Sequence, residues 1–170
     1  MDGLYGKDVG TTGKRFVNTT VTAKATRAFT VRQKHRIFPG NTIKLSSSTC
    51  ILFSSGKLVI VGAKSQDKID AAIHEITQLI GPIKNVSLKN VVGSCSLGHP
   101  INLIHLHSKI ESSYEPELFT GLVTKVSSGA TCLIFHTGKI IVTGTRTFDK
   151  CEESLNIISE LIHNSLWKHS

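Results

Sequence analysis

No Cys-x-x-Cys pair occurs among the 170 residues; Cys50, Cys95, Cys132 and Cys151 stand singly, a spacing that gives no zinc site. No His-Glu-x-x-His run and no glycine-rich phosphate loop is present, so the commonest metalloprotease and nucleotide-binding patterns are missing. No apolar run reaches the roughly 18 residues of a membrane helix, and the N-terminus lacks a signal-peptide core. These absences point to a soluble, intracellular protein with reduced thiols, no cofactor, no metal, no membrane partner and no catalytic activity. The eight histidines do not alter this reading. His105 and His107 alternate in what reads as a strand, where such a pair is structural. Acidic residues are scarce as well, 12 against 20 Lys and Arg, for a formal net charge of +8. A surplus of that sign suits solubility or a polyanionic partner.

What the chain does have is one stretch written twice. Thr49 to Lys64 reads TCILFSSGKLVIVGAK, and Thr131 to Arg146 reads TCLIFHTGKIIVTGTR, at a constant offset of 82. A match of this kind marks internal duplication. Each copy reads as a β-hairpin, an apolar run and a β-branched run joined by a short Ser/Thr-Gly turn. Cys50 and Cys132 hold equivalent places, which predicts a shared packing role.

The rest of the chain falls into order around the repeat. Residues 1–13, rich in glycine, read as a flexible tail, 14–87 as the first repeat and 88–170 as the second. Phe16 to Thr26 and Leu88 to Ser96 read as equivalent strands, with Asn18 and Asn90 at matching places. Asn18 and Phe38 are 20 residues apart, whereas Asn90 and Phe119 are 29 apart. The first-half loop is therefore the shorter, and it is basic (Arg27, Arg32, Lys34, Arg36). Short strands follow at Gly40 to Leu45 and Gly121 to Val126, then the hairpins. Each half closes on a helix. Ser65 to Ile80 has a capping serine, a stripe of Ile69, Ile73, Ile76 and Ile80, and a Gly81-Pro82 stop. Thr147 to His163 repeats it with Cys151, Leu155, Ile158 and Ile162. Antiparallel strands with helices gathered on one face make an α+β domain.

Alternation sends neighbouring strand residues to opposite faces. Thr49, Ile51 and Phe53 share one face, and after the turn Val59 and Val61 share a face; in the second copy the sets are Thr131, Leu133 and Phe135, then Ile141 and Thr143. The helices can cover only one side of each hairpin. The other apolar side requires a partner, which makes it a binding surface.

On these residues the chain resembles the TATA-binding protein family from about Lys14 onward. GSC-x5-I from Gly93, SSYEPELF from Ser112, LIF-x-x-GK from Leu133, and FSSGK with GAK from Phe53 follow that family's signatures in order. The resemblance implies a two-repeat, pseudo-symmetric saddle: a curved antiparallel sheet with two long helices on its convex face. It implies a general transcription-initiation factor that binds and kinks A·T-rich double-stranded promoter DNA through the minor groove. This family is itself the standard illustration of minor-groove wedging.

By the same resemblance Phe38, Phe53, Phe119 and Phe135 are the DNA wedges. Asn18, Asn90 and Thr143 meet base edges, where A·T pairs offer only acceptors. Thr20, Val59, Val61, Val92, Ile51, Leu133 and Ile141 form the groove-floor surface. Thr20 and Val61 depart from the family, which has Val at the first and Thr at the second. Lys44, Lys57, Lys64, Lys125, Lys139 and Arg146 stand as phosphate contacts. Tyr114, Glu115 and Glu117 lie in the loop that contacts a transcription factor IIB-like partner, with the RNA polymerase machinery beyond it. The shortened first loop and a first helix poor in basic residues predict weak or no binding of factor IIA. The implied location is the nucleus, or a viral factory or the cytoplasm for a viral chain. The competing reading is a duplicated sheet protein that binds an apolar ligand or protein on the same face without DNA.

Overall fold

The computed structural model describes residues 11–27 and 40–167. Residues 1–10, the basic positions Arg32, Lys34 and Arg36, and Phe38 lie outside the described residues. The order of elements is β1 (Thr12–Ala25), β2 (Gly40–Lys44), β3 (Thr49–Phe53), β4 (Lys57–Val61), α1 (Gln66–Ile80), β5 (Ile83–Ser96), α2 (Leu103–His107), β6 (Leu122–Lys125), β7 (Thr131–Ile134), β8 (Lys139–Thr145) and α3 (Phe148–Trp167). Contacts divide the chain into two units. One is Val17–Val91; the other is Val92–Ser170 joined by the segment ending at Phe16.

In the Val17–Val91 unit the strands run β2-β3-β4-β1-β5. Register is set by cross-strand partners Thr49↔Val61 and Ile51↔Val59 between β3 and β4, and Thr20↔Val61 and Thr22↔Val59 between β1 and β4. Cys50, Leu52, Leu58 and Ile60 are buried, and Ile51, Phe53, Val59 and Val61 on the opposite face are half-buried. The same unit holds α1, with Ile69, Ala72 and Ile76 inside. Ser65 caps α1 as expected, its Oγ accepting from the Lys68 N–H at 3.2 Å. The Gly81 N–H ends the helix on the Thr77 carbonyl at 2.9 Å. Glu75 of α1 accepts from the Ser46 N–H at 3.0 Å, which ties the helix to the β2–β3 turn.

The second unit repeats the plan as β5-β8-β7-β6. Leu133↔Ile141 and Thr131↔Thr143 are the partners between β7 and β8. Cys132, Ile134, Ile140 and Val142 are buried, whereas Leu133, Phe135, Ile141 and Thr143 are half-buried. Helix α3 packs on β8 through the expected stripe of Cys151, Leu155, Ile158 and Ile162. It runs four residues past His163, to Trp167. At its start the Phe148 ring meets Phe16 edge-on at 4.7 Å.

Two strands begin earlier than their Val and Thr content predicts, at Thr12 rather than Phe16 and at Ile83 rather than Leu88. The added residues are mostly polar and exposed; β1 and β5 neighbour each other, and main-chain pairing leaves no mark in composition. A second correction concerns His105 and His107, which lie in the short helix α2 and not in a strand. The Asn102 Oδ1 accepts from the His105 N–H at 3.0 Å and so caps the helix. Leu103 and Leu106, three apart, are the buried pair. A run this short fits a period of two and a period of 3.6 equally well.

All four cysteines are free and buried. Burial pushes the Cys50 thiol from 9.0 up to about 11 and the Cys132 thiol up to about 12, with Cys95 and Cys151 adding a smaller push at the latter. An unfolded chain releases these protons near pH 9, before the folded chain does. The thiols' contribution to stability is therefore complete below pH 9 and is lost as pH rises toward 11–12. Urea midpoints should fall steeply above pH 9, and Cys132→Ala should flatten that fall while lowering the midpoint at pH 7.

Candidate nucleic-acid interface

Each unit has one sealed sheet face and one open one. In the Val17–Val91 unit the open face is built by rows that cross the strands. Thr42, Ile51, Val59 and Thr22 form one row, and Lys44, Thr49, Val61 and Thr20 the next. Beyond the first row lie Lys57 and Lys24, themselves cross-strand partners. Thr20, Ile51, Phe53, Val59 and Val61 are half-buried, and Lys44 and Lys57 are exposed. In the other unit Val123, Leu133 and Ile141 form a row, and Lys125, Thr131 and Thr143 the next. Val92 is half-buried there, and Lys125 and Lys139 are exposed. Lys64 and Arg146 follow β4 and β8, both exposed.

No strand among the described residues contains Asp or Glu. Among the described residues every carboxylate side chain lies in α1, in α3, or at Glu111, Glu115 and Glu117. The excess positive charge therefore falls on the sheets, beside half-exposed apolar surface. Among the described residues no group of three or more His, Cys, Asp or Glu could hold a metal ion. No helix among them is long and apolar enough to cross a membrane.

In the unit that contains Val92–Ser170 two of the candidate aromatic side chains come together. Phe119 and Phe135 meet edge-on with ring centroids 5.9 Å apart, and Phe119 is 41% exposed. The pair fits because position 121 is glycine. A Cβ there would stand 2.7 Å from Phe119 and 3.1 Å from Phe135. Phe119 is carried back by a turn in which its N–H reaches the Glu115 carbonyl at 3.0 Å. Phe53 ends β3 at the place equivalent to Phe135. The Phe38 position falls outside the described residues.

Asn18 is exposed on β1, and its Oδ1 accepts from the Gly62 N–H at 2.8 Å. Gly62 has φ +94, a conformation costly for any residue with a Cβ. That turn aims the N–H at the asparagine. With the oxygen held, the amide NH2 is the end turned to an outside acceptor. Asn90, half-buried on β5, lies in the same unit. In the loop before β6, Glu115 and Glu117 are exposed and Tyr114 is half-buried, 6.4 Å from the His107 ring. The His107 Nδ1 is 2.8 Å from the Ser112 Oγ, which joins the base of the loop to α2.

Sequence reasoning missed Lys24, Gly62 and Gly121. Lys24 was legible, because it continues the alternation Asn18, Thr20, Thr22. Gly121 was not, because its role depends on two rings converging from different segments.

The pattern of the family described as "Transcription factor TFIID (or TATA-binding protein, TBP)" matches residues 19–83 and 85–165. The chain belongs to the TATA-binding protein family. It is 40% identical over 114 residues to TATA box-binding protein-like 2 of Mus musculus, covering 61% of this chain and 33% of that one. It is 36% identical over 126 residues to the TATA-box-binding protein of Saccharomyces cerevisiae, covering 68% of this chain and 52% of that one. The chain thus spans between a third and about half the length of these two curated relatives. Among solved structures, Methanococcus jannaschii TBP superposes with a TM-score of 0.72 at 26% identity, over 89% of this chain and 98% of that one. The α+β fold class expected from the sequence is therefore the fold of this chain.

Lys24 and Lys57 face each other directly, and like charges so placed repel. Lys24→Ala should leave the free protein slightly more stable on thermal melting. If a polyanion lies along this edge, the same change should lower the salt slope of binding by about 1.

Proposed function

We propose that this chain is a transcription-initiation factor that binds A·T-rich promoter DNA in the minor groove, kinks it, and presents a loop to a factor IIB-like protein. The observation that carries this reading is the open face of each unit: half-exposed apolar rows flanked by lysines, on strands without a carboxylate. Such a face suits a narrow groove whose walls are phosphates and whose floor is base edges. Membership of the family supports it.

In this reading Phe53 and Phe135 enter base steps with Phe38 and Phe119. Unstacking costs about a few kcal/mol per step, offset by the contacts a bent duplex allows, as this family illustrates in general. Ile51, Val59, Val61, Thr20, Val92, Leu133 and Ile141 press on the groove floor. Asn18, Asn90 and Thr143 reach base edges, and Asn18 is held with its donor end outward. Lys44, Lys57, Lys64, Lys125, Lys139 and Arg146 neutralise phosphates and set the salt dependence. As a promoter factor the protein works in the nucleus and performs no catalysis.

Protein partners are divided unevenly between the repeats. Tyr114, Glu115 and Glu117 suit a basic surface on a factor IIB-like protein, through which the polymerase machinery is reached. The shorter, basic first-half loop suits phosphate better than a protein, so factor IIA binds weakly or not at all.

Duplex binding should weaken steeply with salt and be displaced by a minor-groove drug. Salt-indifferent binding of an apolar ligand would favour the alternative reading. Phe53→Ala with Phe135→Ala should reduce end-to-end approach of a labelled duplex by fluorescence transfer, and an unchanged bend at full affinity would remove the wedge assignment. Glu115→Arg with Glu117→Arg should abolish the factor IIB supershift while leaving duplex affinity within about twofold, since rim charges act mainly on their own partner.

A further inference from the structure

The duplication that built this chain left one cross-strand pair inverted. Thr20 and Val61 are Cα partners on β1 and β4, both half-buried on the open face of their unit. The equivalent positions in the second repeat are Val92 and Thr143, also half-buried. One repeat therefore carries its hydroxyl on β1; the other carries it on β8, the counterpart of β4. Threonine and valine have nearly the same outline, so exchanging them across a pair leaves the shape of the face intact. What moves is a hydroxyl, by one inter-strand spacing of about 4.8 Å.

We propose that Thr20 sets the base preference of the Val17–Val91 half of the site, reading a base pair one step away from the one a hydroxyl at position 61 would read. The inference rests on the reading of the open face as a minor-groove surface. Thr20 and Val61 are neighbours in the row Lys44, Thr49, Val61, Thr20, which crosses four strands. A groove that follows such a row meets successive base pairs about 3.4 Å apart, less than the displacement of the hydroxyl. Thr20 is also two residues from Asn18 on the same strand face, and Asn18 has its oxygen occupied by Gly62 and its NH2 turned outward. Two donors thus stand side by side on β1. Adenine N3 and thymine O2 accept from such donors, whereas guanine places an amino group in their way. Val61, without a polar atom, adds shape and no hydrogen bond. The preference of this half consequently differs from that of the half carrying Thr143.

The test is selection of bound duplexes from a randomised pool with four chains: the unaltered protein, Thr20→Val, Thr20→Ser, and the exchange Thr20→Val with Val61→Thr. Thermal melting checks that each is folded. Thr20→Val should flatten the preference at one base pair by about 3- to 10-fold and leave the other positions unchanged. Thr20→Ser should keep that preference, because it keeps the hydroxyl. The exchange should restore a preference of similar size at the neighbouring base pair. The same selected sequence from all four chains overturns the role of Thr20 while duplex binding stands. An unaltered protein with no affinity for any duplex overturns this inference together with the proposed function.

Discussion

Strand alternation, fixed in register, is the constraint on which the rest of the structure depends. Leu52 faces Leu58 and Ile51 faces Val59; a slip of one residue would send every buried side chain to the open face. The same lock holds in the second unit through Ile134↔Ile140 and Leu133↔Ile141. Because the sealed faces are mainly apolar, with Cys50 and Cys132 buried at equivalent places and Thr19, Thr124 and Thr145 as the polar exceptions, a slipped register would bury less apolar surface. The open faces are then a consequence. They are apolar enough to require a partner, yet too rich in Thr and Lys to close on a second protein layer of their own.

Charge is distributed to match. A net charge of +8 spread evenly would say little about function. Among the described residues the strands hold only basic and neutral side chains, and the carboxylates are confined to the two long helices and the Glu111–Glu117 stretch. Field lines from the lysines around the open faces are not cancelled by acids on the same strands. A face of this kind suits a polyanion, with charge acting at a distance and apolar surface at contact. The Lys24↔Lys57 pair makes the cost visible: it opposes folding in the free protein and is relieved when an anion lies between the two charges.

The duplication made much of the fold legible, since one hairpin read twice fixes which positions share a face. The capping Ser65, the Gly81 stop and the Cys151 to Ile162 stripe follow from local rules and appear as expected. What escaped the sequence depends on encounters between distant segments. The N-terminal parts of β1 and β5 are strand because each lies beside the C-terminal part of the other strand, not because of what they contain. The His105 and His107 helix is decided by the cap at Asn102, which a short alternating run conceals. The orientation of the Asn18 amide depends on a backbone N–H 44 residues away. The seating of Phe119 against Phe135 depends on the missing side chain at Gly121.

Phe53 closes β3 and Phe135 directly follows β7, each immediately before a tight turn that returns to a lysine. The Gly138 N–H reaches the Phe135 carbonyl at 2.9 Å, and the Phe135 N–H reaches the Lys139 carbonyl at 2.9 Å. The first repeat has the same Gly56 to Phe53 bond at 2.9 Å, with Lys57 next in the chain. The aromatic residue and the lysine are thus set on one turn closed by backbone hydrogen bonds. A wedge on a mobile loop would lose conformational freedom at the moment of insertion, when unstacking already opposes binding. In the proposed wedge role, a place on a hairpin turn lowers that second cost, and the adjacent lysine stands where it would meet the backbone beside the parted bases. On that proposal the ring and the cation act together, and the motif recurs as a block in both repeats, with Phe, Gly and Lys at the same spacing.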